Sequence, residues 1–282
     1  KAIELGLKPI VVVNKVDKRL FFLEGSEIFN VMPRDDFSAL YRIALNEDYA
    51  TTSRRVYLQD FVPVPVSLLN TRRIGGTANQ VGVADGLTPE RGQRDVPTEL
   101  LGAAKVTGTN GSFSYGALTA VEDDVSWLAR NNANDSLKIS DDGREFAVAR
   151  LSYQLAGEAK KSLGYMGTFT SGSLYDAEIH SFDGHYTSSD GRLIADGQVI
   201  MSDRDEASGY GGMFDVLYAS KPNLRHKFEL DIMDDQINFN DLGFLRRNDY
   251  VKGRYVMLYN KQDLTENLTN FRSAFLSSNN II

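Results

Sequence analysis

The sequence predicts an all-β chain: an antiparallel up-and-down meander of about nine strands, forming a partial, open β-barrel of outer-membrane type. Three observations predict it. Between Leu100 and Tyr259 the chain alternates apolar and polar positions in successive long runs. Short and long connections largely alternate between those runs. The runs also exceed the roughly five or six residues of an average soluble strand and approach the ~9–11 that cross a bilayer when tilted. Arg225–Asp235 is the clearest case. His226, Phe228, Leu230 and Ile232 share one face, and Lys227, Glu229 and Asp231 share the other. One face then meets lipid or a core, and the other meets water.

Residues 1–18 stand apart from the rest. Lys1–Leu7 reads as a helix end, Gly6 as a break and Pro9–Val13 as a buried parallel strand of continuous apolar type. Residues 19–98 read as an irregular, extended segment before the barrel. Arg19–Phe29 is apolar and aromatic, Ser38–Leu45 is a candidate strand, Pro63 and Pro65 favour extended chain, and Gly75–Pro97 is a loop.

The barrel segment covers residues 99–262. Leu100–Thr109 and Ser112–Val121 flank Asn110-Gly111, a dipeptide that favours the positive φ values of a tight hairpin. Glu122–Arg144 reads as a long polar loop. Glu145–Gln154, Leu163–Gly172, Ala177–Thr187, Gly191–Met201, Gly209–Ala219, Arg225–Asp235 and Arg254–Asn260 follow as strands. Residues 263–282 read as a polar tail without alternation. Leu100–Thr109 and Arg254–Asn260 are therefore expected to be open edges, unless Ser38–Leu45 adds a strand. Phe113, Tyr115, Phe146, Tyr153, Tyr186, Tyr210, Tyr218 and Tyr259 fall near strand ends, where membrane-interface girdles form.

Composition narrows the function classes. The net charge is −7 and no basic patch dominates, so nucleic acid is not an expected partner. The absence of cysteine excludes disulfides and thiolate metal sites. The longest apolar run, Pro9–Val13, is far short of the ~20 residues of a spanning helix. The chain opens on Lys1 without a signal peptide and reads as a fragment whose targeting signal lies upstream.

No catalytic constellation stands out, so the reading leans away from an enzyme and expects no cofactor or metal. Gly-x-Ser-x-Gly and His-Glu-x-x-His are absent. His180 and His185 fall on opposite strand faces and cannot share an ion. Glu122-Asp123-Asp124, and Asp203 with Asp205 and Glu206, read as solvated loops. Asp231, Asp234 and Asp235 lack the Gly-centred loop of a calcium site. Arg72-Arg73 and Arg246-Arg247 are the most informative charges. They read as lumen or plug contacts, with Glu24, Asp241 and Asp249 as candidate partners.

Two resemblances add to this reading. Asn14-Lys15-Val16-Asp17 follows an apolar strand, and Lys1–Lys18 resembles a translational GTPase of the BipA/TypA kind. That resemblance implies guanine contacts from Asn14, Lys15 and Asp17. The phosphate-cradling loop and Mg²⁺-holding Asp of a GTPase are absent, so residues 1–18 read as a GTPase-like remnant at a fusion or assembly junction. A GTP-related role is the weakest alternative.

From Arg19 onward the chain resembles a bacterial outer-membrane β-barrel family whose full-length members carry an N-terminal family-9-like carbohydrate-binding domain. The resemblance rests on Arg19-Leu20-Phe21-Phe22-Leu23-Glu24-Gly25, Leu69-Asn70-Thr71-Arg72-Arg73-Ile74-Gly75, Gly102–Gly108 and Phe239-Asn240-Asp241-Leu242-Gly243-Phe244-Leu245-Arg246-Arg247. It makes Arg19, Phe22, Glu24, Gly25, Arg72, Arg73, Asp241, Phe244, Arg246 and Arg247 the family-signature residues. It implies a bacterial outer-membrane location, outer-membrane lipid as a partner, and polysaccharide held by an upstream domain. The barrel would serve as anchor or pore. A soluble all-β binding module is the alternative.

Overall fold

The computed structural model describes residues 8–12, 21–22, 24–32, 66–76, 87–90, 92, 97–205, 207–265 and 268–281. Its strands, in chain order, begin with β1 (Lys8–Val12), β2 (Val66–Ser67) and β3 (Thr88–Pro89). Then come β4 (Leu100–Asn110), β5 (Phe113–Glu122), β6 (Val125–Arg130), β7 (Ser136–Asp141), β8 (Glu145–Leu155) and β9 (Lys160–Ser171). The series ends with β10 (Ala177–Thr187), β11 (Leu193–Arg204), β12 (Ala207–Lys221), β13 (Leu224–Met233), β14 (Phe244–Leu245), β15 (Tyr250–Thr265) and β16 (Leu268–Ile281).

Nine strands form an antiparallel meander in the order β4-β5-β8-β9-β10-β11-β12-β13-β15. They match the nine runs read from the sequence to within a few residues at most ends. β1 adds to one side and β16 to the other, and no ladder joins these two outer strands. The described sheet is therefore open, not a closed barrel.

Several expectations need correction. Lys8–Val12 is antiparallel to β4, with Ile10 opposite Lys105, and not parallel. Neither Leu100–Thr109 nor Arg254–Asn260 is an edge, since β1 and β16 pair with them. The expected polar tail contains β16, because ladders are built from backbone groups that polar sequence supplies equally well. The polar stretch Glu122–Arg144 holds the β6–β7 hairpin, to which β3 pairs. Its alternation, Val125, Trp127 and Ala129, is only three positions long, and Trp127 and Ala129 are buried. The first tight hairpin closes one residue later than expected. Asn110 pairs with Phe113, so Gly111 and Ser112 are central, and Gly111 has φ 59°. Ser38–Leu45 lies outside the described residues.

The meander has two distinct faces. In β8, Phe146, Val148 and Arg150 are buried while Ala147, Ala149 and Leu151 are exposed. In β13, Lys227, Glu229 and Asp231 are buried, while Phe228 and Ile232 are exposed. The inner face is covered by residues 21–22, 24–32, 66–76 and 237–245. Phe21, Phe22, Phe29, Ile237, Phe239 and Leu242 from those segments join Leu118, Val148, Met166, Ile200, Met213 and Met233 of the sheet in one core.

Candidate functional site

The inner face combines this core with buried charge. Arg150 of β8 donates to both carboxylate oxygens of Asp183 on β10, at 2.5 and 2.9 Å. His185 continues the chain, 2.9 Å from Asp183 and 2.8 Å from Asp196 on β11. A second group links β13 and β15. Lys227 lies 2.9 Å from Glu229, and Arg254, only 2% exposed, lies 2.7 Å from Glu229 and 2.9 Å from Asp231. Each charge occupies an inward position of its strand. Burial of this kind requires such pairing, because an isolated charge out of water costs several kcal/mol or more.

Residues 21–22 and 24–32 are fastened to the inner face by polar and steric fit. The Lys105 ammonium donates to the carbonyls of Phe21 and Glu24. Arg150 Nε donates to the Ile28 carbonyl at 3.3 Å. Gly116 of β5 leaves room for Phe29, whose Cζ would lie 2.8 Å from any added Cβ. Gly25, in the left-handed region at φ 67°, starts the short turn Ser26–Phe29 beside Thr107.

At the end of the sheet with the longer connections, two distant segments meet. β2 pairs with β14, placing Ser67 opposite Phe244. Asn70 N–H donates to the Leu242 carbonyl at 2.6 Å, and Arg73 Nε donates to the Gly243 carbonyl at 3.4 Å. The adjoining polar groups form two clasps. Glu122 accepts from Gly75 N–H at 2.6 Å and from Arg144 at 2.9 and 3.1 Å. Tyr175 donates its hydroxyl to Asp241 at 2.8 Å, under an Arg204 guanidinium 4.0 Å from the ring centre. Burial, then the hydrogen bond to Asp241, raises the Tyr175 pKa above its usual value. A cavity of about 30 Å³, enough for a water molecule or so, lies between the clasps.

The outer face carries the opposite chemistry. Outward positions from Ala147 to Tyr153, Leu163 to Phe169, His180 to Tyr186, Ala195 to Met201, Tyr210 to Tyr218, His226 to Ile232 and Val251 to Tyr259 hold no Asp, Glu, Lys or Arg. Large apolar side chains stand open here: Val199 is 56% exposed, Phe214 45% and Phe228 43%. Phe113, Tyr115, Tyr153, Tyr186, Tyr218 and Tyr259 collect on this face toward the short-turn end, and Tyr210 sits toward the other. Phe146 is the exception among the expected girdle residues. It faces inward and is 1% exposed, because its position in β8 has the parity of Val148 and Arg150.

A family profile described as a domain of unknown function, DUF5916, matches residues 66–281. The chain belongs to the DUF5916 family. No curated protein and no solved structure matches the chain. The DUF5916 match begins at the first residue of β2 and ends with β16, so it contains the whole meander and both segments that meet at β2–β14.

Within this DUF5916 frame the expected site residues separate. Arg73, Asp241 and Phe244 come together with Gly243 at the β2–β14 junction. Arg72, Arg246 and Arg247 are exposed. Phe22 is buried in the core, while Glu24 and Gly25 belong to the segment held by Lys105. Among the described residues, Arg73 donates to a backbone carbonyl, and Asp241 is engaged by Tyr175 and Arg204. Glu122 is not in a solvated run; it is 3% exposed and joins two segments. Arg19, Asn14, Lys15 and Asp17 lie outside the described residues. Arg150, Asp183, Glu229 and Arg254 escaped notice as site residues. Their sequence signal is charge on one face of a strand whose other face is apolar.

Proposed function

We propose that this DUF5916 chain supplies the membrane-spanning sheet of an outer-membrane barrel, acting as anchor or pore for an envelope protein. The observation carrying this reading is the chemistry of the two faces: the inner face pairs buried charge beside an apolar core, and the central belt of the outer face is apolar and holds no Asp, Glu, Lys or Arg. A water-soluble antiparallel sheet presents polar and charged side chains on the face away from its core, whereas a barrel in lipid keeps that face apolar. Outward Tyr210 and Tyr218 are eight residues apart on β12, which at ~3.3 Å per residue separates them by about 26 Å. At a strand tilt of about 40° this projects to roughly 20 Å along the membrane normal, which falls within an apolar band about 25 Å tall.

The filled inner face favours the anchor over an open pore, since residues 21–22, 24–32 and 237–245 occupy it. The outer ladders of β1 and β16 need partners in lipid, so closure by further strands belongs to this reading. The association with polysaccharide rests on the family resemblance described above and comes through a carbohydrate-binding domain upstream.

Folding in detergent tests the proposal. The chain is expected to aggregate in buffer alone and to give a heat-sensitive, protease-resistant β-form in detergent micelles. A monodisperse β-sheet protein in buffer without detergent would overturn it in favour of the soluble binding module.

A further inference from the structure

We infer that the outer face carries a fixed phospholipid site, with one acyl chain lying in a trough floored by Gly184, Gly197 and Gly212. This inference rests on the membrane reading above. Gly184 of β10 is directly opposite Gly197 of β11, and Gly212 of β12 is opposite Val199, the next outward residue of β11. The three glycines thus step across adjacent strands. Leu163 and Phe182 stand on one side, and Phe214 and Ile232 on the other, around about 460 Å³ of open apolar space.

The backbone does not require glycine at these positions. None has a φ in the left-handed region, and an added Cβ would meet its nearest neighbour at 3.5 Å at Gly184, 3.6 Å at Gly197 and 3.5 Å at Gly212. Those are ordinary contacts. Glycine inside a strand is unfavourable through its conformational entropy and lack of packing. Three such residues at one place on one face keep a channel clear that alanine or valine would fill.

Two features select a phospholipid as occupant. The trough is apolar and continuous with the uncharged outer belt, which matches hydrocarbon. Its short-turn end then meets positive charge: Lys161 is the outward residue after Leu163 and lies opposite Tyr186, with no acidic residue among those outward neighbours. An ammonium at the rim beside an interfacial tyrosine complements a headgroup phosphate. A neutral hydrocarbon or a second apolar sheet gains nothing from it.

Lipid titration of delipidated full chain in detergent tests the site, with bound phosphatidylglycerol counted by native mass spectrometry. Wild type should hold one tightly bound phospholipid. Gly197→Leu, which fills the trough, and Lys161→Gln should each weaken it by roughly tenfold. Inorganic phosphate in excess should not displace it. Leu163→Trp supplies a second readout: a brominated acyl chain at stoichiometric lipid should quench its added fluorescence more than that of Ala149→Trp. Equal lipid retention by wild type and a folded Gly197→Leu, together with equal quenching at both tryptophans, would overturn the site and leave glycines that only bend the sheet. Displacement by inorganic phosphate would assign a plain anion site and also overturn it. A chain that is monodisperse without detergent would instead remove the membrane reading itself, and the lipid site with it.

Discussion

Arg150 reaches across β9 to Asp183, passing directly over Gly164. Asp183 is opposite Gly164 in the ladder, and a methyl group at Gly164 would collide with Arg150 Nη1 and Asp183 Oδ1. The two partners are thus separated by a strand whose side chain has been removed to let them meet. The same guanidinium also holds the Ile28 carbonyl, so one residue links β8, β10 and the segment over the inner face.

Removing one member of this pair should be costly. Asp183→Ala leaves a buried guanidinium, and such losses run to about 3–5 kcal/mol. Gly164→Ala should cost about 1–3 kcal/mol through overpacking. The double replacement Arg150→Met with Asp183→Leu should cost less than Asp183→Ala alone, because no buried guanidinium is left unpaired and His185 keeps Asp196. Urea titrations of detergent-folded protein measure all three. A double variant less stable than Asp183→Ala would contradict this account.

The Gly116–Phe29 fit predicts a separate effect. Gly116→Val should displace residues 24–32 from the sheet without unfolding the meander. Phe29→Ala should cost about 3–5 kcal/mol by opening a cavity. Hydrogen exchange read at residues 24–32 distinguishes local release from global unfolding. Unchanged exchange there in Gly116→Val would mean that the segment is not seated by this contact.

Legibility in the sequence followed the physics of each element. β13 was plain because seven consecutive positions alternate, from His226 to Ile232, and that pattern fixes both faces of a strand. β16 was not, since Lys261–Asn280 has no period and its pairing comes from backbone groups. The Leu69–Gly75 and Phe239–Arg247 segments were visible as motifs, but their meeting through Asn70 and Leu242 spans too much sequence for local pattern to show. Arg150 and Asp183 were each readable as a charge on a strand. Their contact depends on the β8–β9–β10 register, which composition does not specify. Glu122 was misread because a run of acidic residues usually faces water, and nothing local indicated that Gly75 and Arg144 would converge on it.

Tyr175 gives a pH prediction. Its folded pKa is raised by burial and by its bond to Asp241, so the folded state retains the phenol proton after the unfolded chain has begun to lose its own. The native state then binds more protons, and stability falls as pH rises above about 10, the ordinary tyrosine value. Below that pH the contribution is fully present, and it is lost as pH climbs through the folded pKa. Tyr175→Phe should flatten part of the alkaline loss of stability, seen as a smaller drop in urea midpoint between neutral and strongly alkaline pH. An identical drop in wild type and variant would remove Tyr175 as a contributor.

The outer face supplies the sharpest discrimination between lipid and water. Phe228 is 43% exposed, faces away from the paired Lys227 and Glu229, and lies between outward Val216 and Tyr255 in the ladder. In a bilayer, Phe228→Arg places a charge in the apolar band and should destabilise by about 2–4 kcal/mol near the midplane. In a water-soluble sheet the same substitution replaces an exposed apolar side chain with a solvated one and should change stability by no more than about 0.5 kcal/mol. Glu229 gives an internal control. Glu229→Ala should destabilise in either setting, because it removes a buried carboxylate that pairs with both Lys227 and Arg254. Unfolding of wild type and both variants in phospholipid vesicles and in detergent resolves the matter. A neutral Phe228→Arg alongside a destabilised Glu229→Ala would mean that the outer face meets water, and the membrane reading would fall.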